Sequence, residues 1–114
     1  MHKQVRIRHG EMEADVDEEI APLILELWRA GVETISSCQN YLGFGVWIIV
    51  SAASAAAFDR LLRGYRRPHK RKLFTEPNGM PRAGDCFYHF ACPAEDLPHL
   101  QKHVRRVARK RHQR

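Results

Sequence analysis

An α+β fold is predicted for this chain: a ferredoxin-like βαββαβ core with an N-terminal hairpin strand before it and a C-terminal helix after it. Three observations predict it. Residues 4–17 alternate apolar and polar side chains in two runs on either side of His9-Gly10. Ile20, Leu23, Ile24, Leu27 and Trp28 recur at helical spacing. Val46-Trp47-Ile48-Ile49-Val50 is an unbroken apolar run rich in β-branched residues, the pattern of a central strand covered on both faces.

The hairpin comes first. A two-residue turn at His9-Gly10 pairs Arg8 with Glu11, Arg6 with Glu13 and Gln4 with Asp15 on one face, and Ile7 with Met12 and Val5 with Ala14 on the other. The acidic row then reads as a salt-bridged solvent face. Asp17, Glu18 and Glu19 supply negative charge for the first turn of the helix that follows, where Pro22 is tolerated, and Gly31 stops it. Val32 to Cys38 form the next strand, and Gln39 to Gly45 a loop bearing Tyr41, Leu42 and Phe44. After the central strand, Ser51 or Ser54 caps a helix with Phe58, Leu61, Leu62 and Tyr65 on its buried side. Arg66 to Lys72 form a basic connection, Leu73-Phe74-Thr75 a short strand, Pro77-Asn78-Gly79 a turn and Cys86 to Ala91 the last strand. Pro93 to Asp96 open a third helix carrying Leu97, Leu100, Val104 and Val107. Residues 1–108 make one domain; residues 109–114 form a basic tail with nothing apolar to bury, expected to fray.

Charge is the strongest compositional signal. The formal net charge is +6, but residues 1–57 hold four Lys/Arg against eight Asp/Glu, whereas residues 58–114 hold fifteen against five. Such a half attracts polyanions. The basic residues fall in two clusters, Arg60, Arg63, Arg66, Arg67, Lys70, Arg71 and Lys72, then Lys102, Arg105, Arg106, Arg109, Lys110 and Arg111. On the third helix the second cluster makes a stripe opposite the apolar one, suited to gripping phosphates without reading base sequence. No apolar run approaches the ~20 residues of a membrane span. Without an apolar signal-type stretch after the first charges, and with only three cysteines in no framework spacing, free thiols in the cytoplasm are expected.

No glycine-rich phosphate loop, Ser/His/Asp arrangement or dinucleotide fingerprint occurs, so the leading reading is a non-enzymatic module with no cofactor that contacts nucleic acid or another polyanion. Cys86, His89 and Cys92 are three apart in succession, but strand alternation turns His89 away from the two thiols, so no metal site is expected. A second reading places a small ligand at the strand end formed by Thr34, Ser36, Ser37, Cys38, Gln39 and Asn40, because strand ends commonly hold ligands and the adjoining loop is apolar. A third is self-association, as a homodimer in which the basic half of one copy meets the acidic hairpin of another.

The pattern Val16-Asp17, Ile20-Ala21-Pro22-Leu23-Ile24, Leu27-Trp28, Gly31-Val32-Glu33-Thr34 and Ser37-Cys38-Gln39 resembles a group of small bacterial and phage proteins, and the stretch Phe87 to Leu97 is similar to the end of those chains. The likeness covers about two-thirds of this chain, omits the basic tail, and implies fold boundaries but no activity.

Overall fold

The computed structural model describes residues 3–39, 45–73 and 87–112. Among them, six strands and three helices follow in the order β1 (Gln4–His9), β2 (Met12–Asp17), α1 (Ala21–Arg29), β3 (Thr34–Cys38), β4 (Val46–Ser51), α2 (Ala55–Leu61), β5 (Lys70–Leu73), β6 (Phe87–Cys92) and α3 (Leu97–His112). The protein is therefore α+β. Its strands form two antiparallel sheets, the hairpin β1-β2 and a four-stranded sheet in the order β3-β4-β6-β5.

That order departs from the ferredoxin-like expectation. A βαββαβ core needs β2 hydrogen-bonded inside the main sheet, but β2 pairs only with β1 among the described residues. One split βαβ unit is present: β4 and β5 each run antiparallel to β6, hence parallel to one another, with α2 in the crossover and β6 between them.

The hairpin register is offset by two from the one the charges suggest. His9 faces Met12, Arg8 faces Glu13 and Arg6 faces Asp15, so Gly10 and Glu11 occupy the turn. Gly10 has φ 61, which the first central position of a primed turn requires and which a side chain would resist. An offset of two keeps every residue on its face. Val5, Ile7, Met12 and Ala14 still pack on the core, and Arg6 still reaches two acids, Glu13 at 3.1 Å and Asp15 at 3.2 Å.

Helix α1 starts later than its acids imply. Asp17 ends β2, Glu18 and Glu19 lie in the turn after it, and the first helical turn contains no acid. The helix closes on Gly31, φ 86, with Gly31 N–H donating to Trp28 C=O and Val32 N–H to Leu27 C=O, the paired bonds of a Schellman motif. Ile20, Leu23, Ile24, Leu27 and Trp28 are buried as their spacing requires.

A 3₁₀ turn, Ala52–Ser54, leads into α2. Neither serine caps it. Ser54 Oγ instead accepts the Glu33 N–H at 2.9 Å and the Ser51 hydroxyl at 3.1 Å, fastening the start of α2 to the strand pair. Phe58 is fully buried, with its ring edge-on to Tyr88 and Phe90 of β6. Side chains of Val46, Ile48 and Val50 join this core, while Trp47 and Ile49 on the opposite face of β4 are only half-buried. Helix α3 packs on α1 and α2 through Leu97, Leu100, Val104 and Ala108. It runs on to His112 rather than fraying after Ala108, since its arginines and lysines are good helix formers and no glycine or proline stops them. No helix among the described residues is long and apolar enough to cross a membrane.

Candidate functional site

The strand end carries a hydrogen-bonded clasp. Asp17, at the end of β2, is buried; its Oδ2 accepts the Gln39 N–H at 3.0 Å and its Oδ1 accepts Gln4 Nε2 at 3.4 Å. Gln39 Oε1 accepts the Glu19 N–H at 2.7 Å, and Trp28 Nε1 donates to Thr34 Oγ1 at 2.8 Å. Hairpin, α1 and β3 are thus tied together chiefly by residues of the segment that begins at Val16 and ends at Gln39. Replacing Asp17 by alanine strands the part-buried Gln39 N–H and is expected to cost about 1–3 kcal/mol, read as a lower urea midpoint at unchanged slope.

Below the clasp a cleft of about 200 Å³ opens between hairpin and β3, lined by Gln4, Asp15, Trp28, Thr34, Ser36 and Ser37 among others. A bulge between Thr34 and Ser36 turns Ile35 outward, where it is 58% exposed. Of the six strand-end candidates, Thr34 and Gln39 are engaged in holding the fold, and Ser36 and Ser37 line the cleft. Cys38 is part-buried and faces Trp47 across the strand pair, and Asn40 lies outside the described residues. The lining holds one carboxylate, Asp15, which is ion-paired with Arg6, and no histidine, lysine or cysteine. On the far side of the sheet Cys92 is buried, and burial pushes its thiol up to about 12, which leaves it protonated. Among the described residues no group of three His, Cys, Asp or Glu converges on a metal position; Cys86 is outside them.

The basic residues divide by environment. Arg67 of the α2–β5 connection places Nε at 2.8 Å and Nη2 at 2.7 Å from one oxygen of the buried Asp96, pinning that connection to the start of α3. Arg71 meets Asp59 at 2.9 Å, and the Tyr88 hydroxyl donates to the same oxygen at 2.8 Å. These two arginines hold structure together. Lys70, Arg71 and Lys72 lie in strand β5 rather than in a connection, where their charge guards the sheet edge.

The second cluster of cations lies on α3. Lys102, Arg105, Arg106, Arg109 and Lys110 line a shallow trough of about 460 Å³ on its outer face. Leu100, Val104 and Ala108 are buried on the inner face, so helical periodicity leaves these five pointing outward. Arg105 is 3.8 Å from Glu26 of α1, and Arg106 Nη2 lies 3.2 Å from His103 Nδ1. The turn after α2 abuts the same helix. A side chain at Gly64 would come within 3.9 Å of His103 Cε1, and the Tyr65 and His103 rings are 5.3 Å apart. Arg63 adjoins Gly64 and so stands beside the Arg106 side of α3, where it extends the basic ridge; Arg60 and Arg66, exposed like it, flank it in sequence. Of Arg111 the helical backbone is described.

His103 sits beneath this ridge, and its burial, then Arg106, lower its pKa from 6.5, with the Leu61 and Arg63 backbone opposing. A histidine whose folded pKa is depressed contributes stability that is complete above its unfolded pKa and is lost as pH falls below it. Urea midpoints are thus expected to drop between about pH 7.5 and about pH 5.5, and His103→Gln to shrink that drop. His89, also lowered by burial, supplies part of the rest. An equal drop in the variant would mean that other groups cause it.

Comparison with known proteins gives no family model, no curated protein and no solved structure that matches this chain.

Proposed function

We propose that this protein is a non-enzymatic binding module that contacts a polyanion, nucleic acid foremost, through the ridge formed by the outer face of α3 and the Arg60–Arg66 stretch beside it. One observation carries the reading: every residue lining the α3 trough is a cation, and among the described residues only Arg105 of the five has a carboxylate partner, Glu26 at 3.8 Å. Cations held in register on a helix and left largely without carboxylate partners are a surface for phosphates. Contacts of that kind position a ligand without reading base edges, so binding is expected to be insensitive to sequence and steeply weakened by salt. The free cysteine Cys92 suits a reducing compartment, in keeping with a cytoplasmic protein.

The test is fluorescence anisotropy of labelled oligonucleotides of two unrelated sequences, titrated at about 50 mM and about 200 mM salt. Similar affinities for the two sequences, falling steeply between the two salts, are expected. Absence of binding at the lower salt, or affinity that salt leaves unchanged, would reduce the ridge to a solvated surface.

A further inference from the structure

We propose that His103 makes this ridge responsive to pH, holding Arg106 while the imidazole is neutral and releasing it when the imidazole is protonated. This rests on the polyanion reading above and adds its regulation. Arg106 Nη2 lies 3.2 Å from His103 Nδ1. A guanidinium can only donate, so Nδ1 accepts and the ring proton sits on Nε2. That Nε2 is buried and makes no hydrogen bond. The turn after α2 faces the ring with the Leu61 and Arg63 backbone, the Arg63 side chain being exposed, and with the Tyr65 ring at 5.3 Å. Burial pushes the Tyr65 hydroxyl up to about 12, so it stays neutral. From α3 itself Arg106 faces the ring, and among the described residues no carboxylate is paired with it.

Protonation at Nδ1 removes the acceptor and sets a positive charge 3.2 Å from the guanidinium. Arg106, exposed within the trough that Lys102, Arg105, Arg109 and Lys110 complete, is then turned out toward solvent or a bound phosphate. A phosphate on Arg106 offsets the repulsion between the two cations, so protonation and polyanion binding favour one another by equal amounts. Binding therefore strengthens as pH falls through the pKa of His103, and bound polyanion raises that pKa. Exposed histidines such as His99 also gain charge on acidification, but without Arg106.

Two readouts isolate the pair. Anisotropy of one labelled oligonucleotide is titrated at about pH 7.5 and about pH 6 with the full chain, His103→Gln and Arg106→Gln. The gain on acidification is expected to be about two- to fivefold larger for the full chain than for either variant, the range of one charge pair near the surface. In parallel, NMR follows the His103 Cε1–H resonance against pH. Its pKa should rise in Arg106→Gln, where the opposing cation is gone, and rise in the full chain saturated with oligonucleotide. A histidine that only fills space would show neither rise. An equal gain in all three proteins, or a His103 pKa that neither Arg106→Gln nor oligonucleotide raises, overturns the regulation and leaves polyanion binding intact. Absence of oligonucleotide binding at both pH values overturns both.

Discussion

Glutamine at Lys102, Arg105, Arg106, Arg109 and Lys110 together is expected to flatten the salt dependence of binding by a log–log slope of about 3.5 for a single strand, since every phosphate left unneutralised subtracts about 0.7. Affinity at about 50 mM salt should fall at least about a hundredfold by the same reasoning. The five side chains line the outer trough and none belongs to the buried core, so the variant should keep its fold. Circular dichroism and a thermal scan establish that independently. Retention of the full slope by a folded variant would put the ligand elsewhere, with the cleft between hairpin and β3 next in line.

Gly45→Ala is expected to be a more damaging single substitution than any on the ridge. Gly45 has φ 117, and a Cβ there would sit 2.3 Å from the Cys92 carbonyl oxygen and 3.3 Å from Pro93 Cα. Both neighbours are backbone, which cannot rotate aside. The start of β4 must therefore separate from the end of β6, at the Val46–Cys92 pair that begins their ladder. The left-handed conformation and the collision together are expected to cost about 2–5 kcal/mol. Chemical denaturation of the variant measures it. A loss under about 1 kcal/mol would mean that the strand pair opens there without penalty. Sequence patterning sees Gly45 only as the end of a loop, because the reason for glycine there is Cys92, far along the chain.

Periodicity revealed the elements it governs. The stripe on α1 and the buried side of α2 stand where apolar spacing puts them, whereas the β4 run forms its strand with only one face fully buried and not both, since Trp47 and Ile49 are part-buried. Pairing was less legible. The hairpin register turns on which residue takes φ 61, and charge complementarity alone accepts either offset, since Arg6 lies near Glu13 in both. Among the described residues β2 pairs only with β1, and an element order cannot say whether the second edge of a hairpin strand will join the main sheet.

The same distinction separates the candidate sites. Clustering of cations is visible in composition, and the outward face of α3 follows from its apolar stripe. Which arginines serve the structure does not follow. Arg67 and Arg71 belong to the same run as Arg66, yet they are held by Asp96, just before α3, and Asp59, on α2, whose positions depend on how those helices pack. At the strand end, Thr34 and Gln39 look like ligand groups in sequence because short polar side chains serve clasps and ligands alike. Only the partners, Trp28 and Glu19, tell them apart.

Whether the α3 ridge is the functional surface is measured most directly by the slope of log K against log salt for one labelled single strand. The titration runs from about 50 mM to about 200 mM, with the full chain and the five-glutamine variant side by side. A steep negative slope for the full chain that collapses in the folded variant is the expected result. Parallel slopes for the two proteins, or no binding by the full chain at the lowest salt, would contradict the assignment.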